Sequence, residues 1–476
     1  MKKRAIILVL CLLMSLAGCG ATPAETTAPT ETPASFLVGY GRQDITPKNS
    51  VPLRGSGNTS NRMSKGFLDY LYTTCTALTD AQGQTVLLLT IDNSGSHDQV
   101  IRPIREEISN ATGVPVEQIF VSASHTHSGP DLMNGKESSI TEYRKLLKKQ
   151  MVLAAEEAMA DRLPATMEIC AVETQNMTFV RRYAMEDGSY AGANFGDFKA
   201  SPIKGHESEA DNMLQLMRFQ RQGGKTVLLA NFQGHPTRVV ADQKQHYNVS
   251  ADFVGAFRLA VEQTLDCHVA YFTGASGNLR TLSMIKEENI TADHAEHGKA
   301  LARYAVEAVD YRMVSPGDIR LREQTYVGKV NHSEDHLITV ATEVNEYWRQ
   351  TNDKDGATAM AKERGMESPH HASAILAKAK LEKTMDVPTA VLAVGEVAFA
   401  IIPYEMFDTN GMEIKGASPF AMTFLLTCTN DSLNYVPSAL GYENGGYEVH
   451  QGRLMPGSGE ELVAVYISLL QMVHEG

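Results

Sequence analysis

Apolar positions along the chain change period several times, and each change marks an element. Two β-branched apolar runs, "LYTTCTALTD" (71–80) and "TVLLLTIDNS" (85–94), flank the connection "AQGQ" and predict an antiparallel hairpin. The same arrangement returns as "MLQLMRFQ" and "TVLLANFQGHP" about "RQGGK", and again within "AVLAVGEVAFAIIPYE" (390–405). Between the hairpins the spacing shifts to that of a helix. Helices are expected over "VIRPIREEISNATG", stopped by Gly113, over Ile140–Leu163, over Ser250–Leu265 with Ser250 as cap, over Asp293–Tyr311, and over a closing segment Glu460–Val473. Single apolar strands read as "QIFVSAS", "HVAYFTGASGN" and "FAMTFLLTCT". From Val340 to Met385 the pattern is helical and polar, with "ESPHHASA" as a break. Strands interleaved with helices, several of them joined as hairpins, imply an α/β (mixed α+β) fold: a mixed sheet with flanking helices in a single large domain over 36–476.

The start of the chain has a different character. "MKKRAIILVLCLLMSLAGCG" carries a basic tip, an apolar run too short to span a membrane, and small residues up to a cysteine. "LAGC" resembles a lipobox, so residues 1–18 are expected to be a lipoprotein signal and Cys19 the lipidated residue. The Thr, Pro, Ala and Glu of 19–35 have the composition of a tether. The folded part is therefore expected outside the cytoplasm, hanging from a membrane by its lipid.

With 43 basic against 56 acidic side chains the chain is strongly acidic, and loss of Lys2, Lys3 and Arg4 with a signal increases the imbalance. Such a surface repels phosphate backbones, which makes nucleic acid an unlikely partner. Cys75, Cys170, Cys267 and Cys428 are far apart, without metal-ligand spacing, and read as buried thiols or at most one disulfide. Oligomeric state is not readable.

Three apolar strands end in residues of metal-ligand type: "SASHTH" in His125 and His127, "NFQGH" in His235, and "AIIPYE" in Glu405. Strand ends along one edge of a sheet converge, so these groups could meet. Two imidazoles and a carboxylate suit Zn2+, although each histidine alone could equally be a satisfied polar residue at a strand's mouth. His294 and His297, one helical turn apart, read as a solvated helix end. His332, His336, His370 and His371 read as loop residues. "YENGGYEVH" lacks the Lys-Ser or Lys-Thr of a phosphate loop, and Asp187 and Gly188 read as a turn.

Several motifs in order, "SHTHSGP", "GHPT", "SADFVGAF", "IIPYE" and "NYVPS" followed by "YENGGYE", resemble the amino-terminal catalytic domain of the neutral ceramidase family, from "LVGYGRQDITP" to "NGGYEVHQG". The resemblance implies zinc held by His125, His235, Glu405 and Tyr435, with Tyr435 alternatively a hydroxyl that bonds the water or the substrate. His127 and Arg181, in "FVRRY", would be catalytic groups that handle the proton and hold the acyl carbonyl. The family's serine turn corresponds to "TGASGNLRT", where Arg280 falls at the serine position, so Ser276, Asn278 and Arg280 are expected to face the substrate instead. The chain also stops after the closing helix, so the sandwich domain of full-length ceramidases is expected to be missing.

The resemblance implies a zinc-dependent hydrolase that cleaves an amide, in an N-acyl lipid or a related envelope compound, by attack of water. Its partner would be a small amphipathic or N-acylated substrate. The alternative is a surface lipoprotein that keeps the fold but, lacking the serine, only binds a ligand.

Overall fold

The computed structural model describes residues 35–55, 62–134, 137–192 and 195–476. The expected signal, Cys19 and all of the tether but Ser35 lie outside the described residues. No helix among them is long and apolar enough to cross a membrane.

Two sheets stack face to face with helices on their outer surfaces. The order across the larger sheet is His268–Thr273, Val227–Phe232, Met213–Arg221, Leu163–Glu173, Leu37–Asp44, Tyr72–Thr79, Thr85–Ile91, Ile119–Ala123. The smaller runs Ile319–Lys329, Thr384–Val394, Val397–Ile401, Met422–Leu426. Side chains from both, among them Leu88, Phe120, Met217 and Phe272 from the larger sheet and Leu392, Phe399 and Phe424 from the smaller, form one continuous core. Outside the larger sheet lie Asp98–Thr112 and Ser138–Ala160 at one end and Asp252–Leu265 and His294–Val306 at the other. Ser458–Glu475 covers the smaller sheet. The mixed α/β class and the large mixed sheet are as expected, and the structure adds a second, four-stranded sheet that the sequence reading did not separate from it. Inward and outward faces of a strand buried on both sides look alike in an apolar run, so nothing in the pattern separates them.

All three expected hairpins pair antiparallel, and each second strand pairs in parallel with the strand that follows its helix. The chain thus repeats hairpin, crossover helix and parallel strand, and the ends of these strands carry the candidate residues. Three long strands escape the sequence reading: Leu37–Asp44, Leu163–Glu173 and Ile319–Lys329. Leu37–Asp44 is interrupted by glycines, and Gly41 is needed because a Cβ there would collide with the Ala154 carbonyl of the helix packed over it. Leu163–Glu173 alternates too weakly, since much of it is half-exposed.

Smaller differences have local causes. The cap of Asp252–Leu265 is Ala251, while Ser250 Oγ accepts the Asp252 N–H at 2.9 Å. "ESPHHASA" holds the end of the break after Glu363 and the start of the next helix: Ser368 caps Pro369–Lys378 with its hydroxyl, which places His370 and His371 on a helix rather than in a loop. His297 is fully buried, edge-on to Phe253, and so is no solvated helix end. The four cysteines within the described residues are buried free thiols.

The polar stretch after Val340 forms three helices, Ile338–Thr351, Lys354–Glu363 and Pro369–Lys378, inserted where Ile319–Lys329 and Thr384–Val394 would otherwise join, beyond the pair Lys329 and Thr384. They share a small core of their own, including Val344, Ala361 and Ile375.

Candidate functional site

Immediately after Ile119–Ala123 the chain turns sharply, and His125 takes a positive φ of 65°. A non-glycine residue held in the left-handed region stores strain that recurs at functional sites. The turn aims His125 and His127 inward, where His235 arrives from the end of Val227–Phe232. Imidazole nitrogens of the three lie within 4.8 Å of one another.

Each ring is fixed from behind by a backbone carbonyl. His125 Nδ1 lies 2.7 Å from Ser94 O, His127 Nδ1 2.7 Å from Gly55 O, and His235 Nδ1 3.0 Å from Ser276 O. A carbonyl only accepts, so all three Nδ1 atoms carry the proton and all three Nε2 atoms face the common space. Gly55 makes this approach possible: a Cβ there would strike the His127 ring.

His127 Nε2 and His235 Nε2 are 3.0 Å apart. Burial, with the neighbouring His125 charge, holds His127 down at about 3, and burial holds His235 well below the usual imidazole range. Both rings are therefore neutral near pH 7, and two lone pairs point at each other with no proton between them. His125 Nε2 instead meets Glu405 Oε2 at 3.1 Å. Burial would lower its pKa, but the Glu405 carboxylate outweighs that and raises it well above normal. Burial would raise Glu405, whereas the His125 charge and hydrogen bond keep it at about 2.

Glu405 and Tyr435 are register partners in a short parallel pairing, Glu405–Met406 with Tyr435–Val436. The Tyr435 hydroxyl accepts from Arg181 at 3.2 Å, which leaves its own proton free to donate. Burial raises the phenol well above its usual pKa, so it stays protonated. Arg181 also donates to Gly277 O and to Glu448, each at 2.8 Å. Glu448 is fully buried and bridges Arg181 to Arg182.

These groups open on a cavity of about 500 Å³ that His125, His127, Glu405 and Tyr435 line. The helical insertion closes part of it with Trp348, Lys354 and His370. Ser276, Asn278 and Arg280, expected to face the substrate, are not on the wall. Asn278 spends both ends of its amide on Asp408, at 2.6 and 2.8 Å, Ser276 offers its carbonyl to His235, and Arg280 pairs with Phe179 in a two-stranded bridge. Arg181 also stands behind the wall and reaches it through Tyr435.

The strand ends pointed to His125, His127, His235 and Glu405 and the resemblance to Tyr435, but neither gave any trace of the carbonyls of Gly55, Ser94 and Ser276, which have no side-chain signature. Glu448 could have been suspected as the acid facing the Arg181-Arg182 doublet. A second group, Glu334, His371 and His450, also gathers ligand atoms within 4.8 Å. Lys378 Nζ lies 3.1 Å from Glu334 and already supplies positive charge there, and His371 Nδ1 is occupied by the Glu367 N–H.

No protein-family model and no curated protein matches this chain by sequence. By fold it is similar to a neutral ceramidase from Pseudomonas aeruginosa, at a TM-score of 0.69 and 15% identity over 93% of this chain and 75% of that one. It is likewise similar to a ceramidase complexed with C2, at 0.67 and 14% over 93% and 76%. Likeness at this identity establishes a shared fold.

Proposed function

We propose that the protein is a zinc-dependent hydrolase of ceramidase type that cleaves an acyl amide, in an N-acyl compound or a related envelope component, or the corresponding ester. The observation that carries this reading is the pair of opposed lone pairs on His127 and His235. Two buried acceptors at that distance repel each other unless each finds a partner, and a Lewis acid on His235 with the hydrogen of a water on His127 would satisfy both. His125, His235 and Glu405 form a two-imidazole, one-carboxylate donor set of the kind that holds catalytic zinc and leaves a position open.

Zinc bound there supplies a Lewis acid for the acyl carbonyl and lowers the pKa of water toward ~7. The chain's own residues do the rest. His127, neutral and anchored through Gly55, would take the proton of the attacking water on Nε2 and return it to the leaving nitrogen or oxygen as the acyl bond breaks. Tyr435, with its oxygen already accepting from Arg181, donates its hydroxyl proton to the oxyanion. Arg181 is thereby a positioning residue, and Tyr435 acts on substrate rather than as the metal ligand the resemblance implied. The missing serine leaves water as the nucleophile. The lipobox-like "LAGC" supports a lipid on Cys19 and an extracytoplasmic site at a membrane surface.

The test is metal analysis of the purified protein together with hydrolysis of a panel of fluorogenic N-acyl amides and esters. Stoichiometric zinc with turnover that a chelator abolishes is the expected result. Zinc with no turnover on any acyl compound would leave a metal-bearing binding protein, and no metal at all would sink the reading.

A further inference from the structure

The cavity wall has an unusual composition for a site that would bury hydrocarbon. Among the described residues, no Leu, Ile, Val or Met side chain lines it. A long acyl chain gains its affinity from apolar contact along its length, and here it would find no aliphatic side chain. The wall offers two other things. One is an aromatic arc: Trp348 meets His370 edge-on at 4.9 Å, His370 meets Tyr447 at 5.8 Å, and Tyr447 meets Tyr435 at 5.9 Å. The other is a set of polar ends, Arg54, Lys354 and Asn434 among them, placed around the same space.

We infer that the site takes a small acylated sugar rather than a long-chain amide. A sugar ring presents C–H bonds on its face and hydroxyls around its rim, so one aromatic platform and a polar surround match it together. The arc leads from Trp348 to the hydroxyl of Tyr435, so a ring seated on Trp348 or Tyr447 would carry its acyl group toward the histidines. The helical insertion supplies Trp348, Lys354 and His370, and so supplies much of this selectivity. The inference rests on the hydrolase reading only for the bond that is cut. Recognition of the ring stands on the wall alone.

Trp348 is the chain's single tryptophan, which makes its emission a reporter of this wall. The purified protein, with and without chelator, is titrated with N-acetylglucosamine, with its β-1,4-linked dimer, with N-acetyl-glycylglycine, and with N-hexanoylsphingosine in mixed micelles. A saturable change in emission with the two sugars, but not with the peptide or the sphingosine amide, is expected in both samples. Trp348→Phe should weaken sugar binding, read by calorimetry, by about threefold to tenfold while metal content stays as in the parent. Sugars that leave the emission unmoved, or a peptide or sphingosine amide that binds as well as they do, would overturn the proposal. Hydrolysis of the sphingosine amide without any response to sugars would overturn it and uphold the hydrolase reading. Sugar binding without turnover on any acyl compound would do the reverse.

Discussion

The Nε2 atoms of His127 and His235 stand 3.0 Å apart, and the carbonyls of Gly55 and Ser276 have taken the only proton each neutral ring possesses. Geometry of this kind makes distinct roles separable by mutation. His235→Ala is expected to lose stoichiometric zinc. His127→Ala should keep it and lose about 10²–10⁴ in kcat, the usual contribution of a general base. Elemental analysis beside steady-state rates distinguishes these outcomes, and loss of zinc in His127→Ala would make it a fourth ligand.

Zinc uptake should also release a proton. His125 Nε2 carries one against Glu405, and a metal ion has to displace it. Because the protonated ring competes with the metal, apparent zinc affinity should fall as pH is lowered. Calorimetric titration in buffers of different ionisation enthalpy measures the released proton directly.

Gly55→Ala tests the support behind His127 without replacing any polar side chain. The added methyl would displace the His127 ring from its carbonyl anchor. Losing such an outer contact typically costs 10–100-fold in metal affinity or activity. A loss of about that size is expected in kcat, together with a lower melting temperature, because Gly55 holds a φ of 109° that a side chain strains.

Removal of the Tyr435 hydroxyl separates the two roles this residue could play. Tyr435→Phe should lower kcat by about 10²–10³, the cost of losing one oxyanion donor, while zinc content is retained. Loss of zinc in that variant would restore it to the metal's ligands.

The clasp of the helical insertion has its own pH signature. Burial would raise the Glu334 carboxyl, but the His371 hydrogen bond at 2.7 Å and Lys378 at 3.1 Å hold it at about 2, with His450 and Glu367 nearby. A carboxyl depressed on folding stabilises above its unfolded pKa, and that contribution is lost as pH falls from about 4.5 to about 2. The effect is on the order of 2 kcal/mol. Thermal unfolding of the parent should therefore drop through this window, and Glu334→Gln should be less stable at pH 7 and flatter across it.

Much of this arrangement was legible because polar residues at the ends of apolar strands stand out. His125, His127, His235 and Glu405 all sit where an alternating or continuous apolar run stops. What the pattern hides is equally definite. The carbonyls that orient the rings belong to Gly55, Ser94 and Ser276 through their backbone alone. Asn278 was misread because a motif records residue type and says nothing of which partner, here Asp408, claims the side chain. Trp348 and His370 reach the cavity from helices whose polar sequence reads the same whether they cover a site or face water. The division into two sheets was invisible for a related reason: strands such as Thr85–Ile91 are buried on both faces and carry no alternation.

The three helices between Lys329 and Thr384 enter and leave through neighbouring strand ends and bury their own small apolar cluster. Descent with modification could therefore exchange, lengthen or trim that excursion as a cassette. The range of ligands the protein accepts would change while the histidine cradle stayed as it was. Relatives sharing the cradle but differing there should divide by ligand along that segment, whatever their resemblance elsewhere.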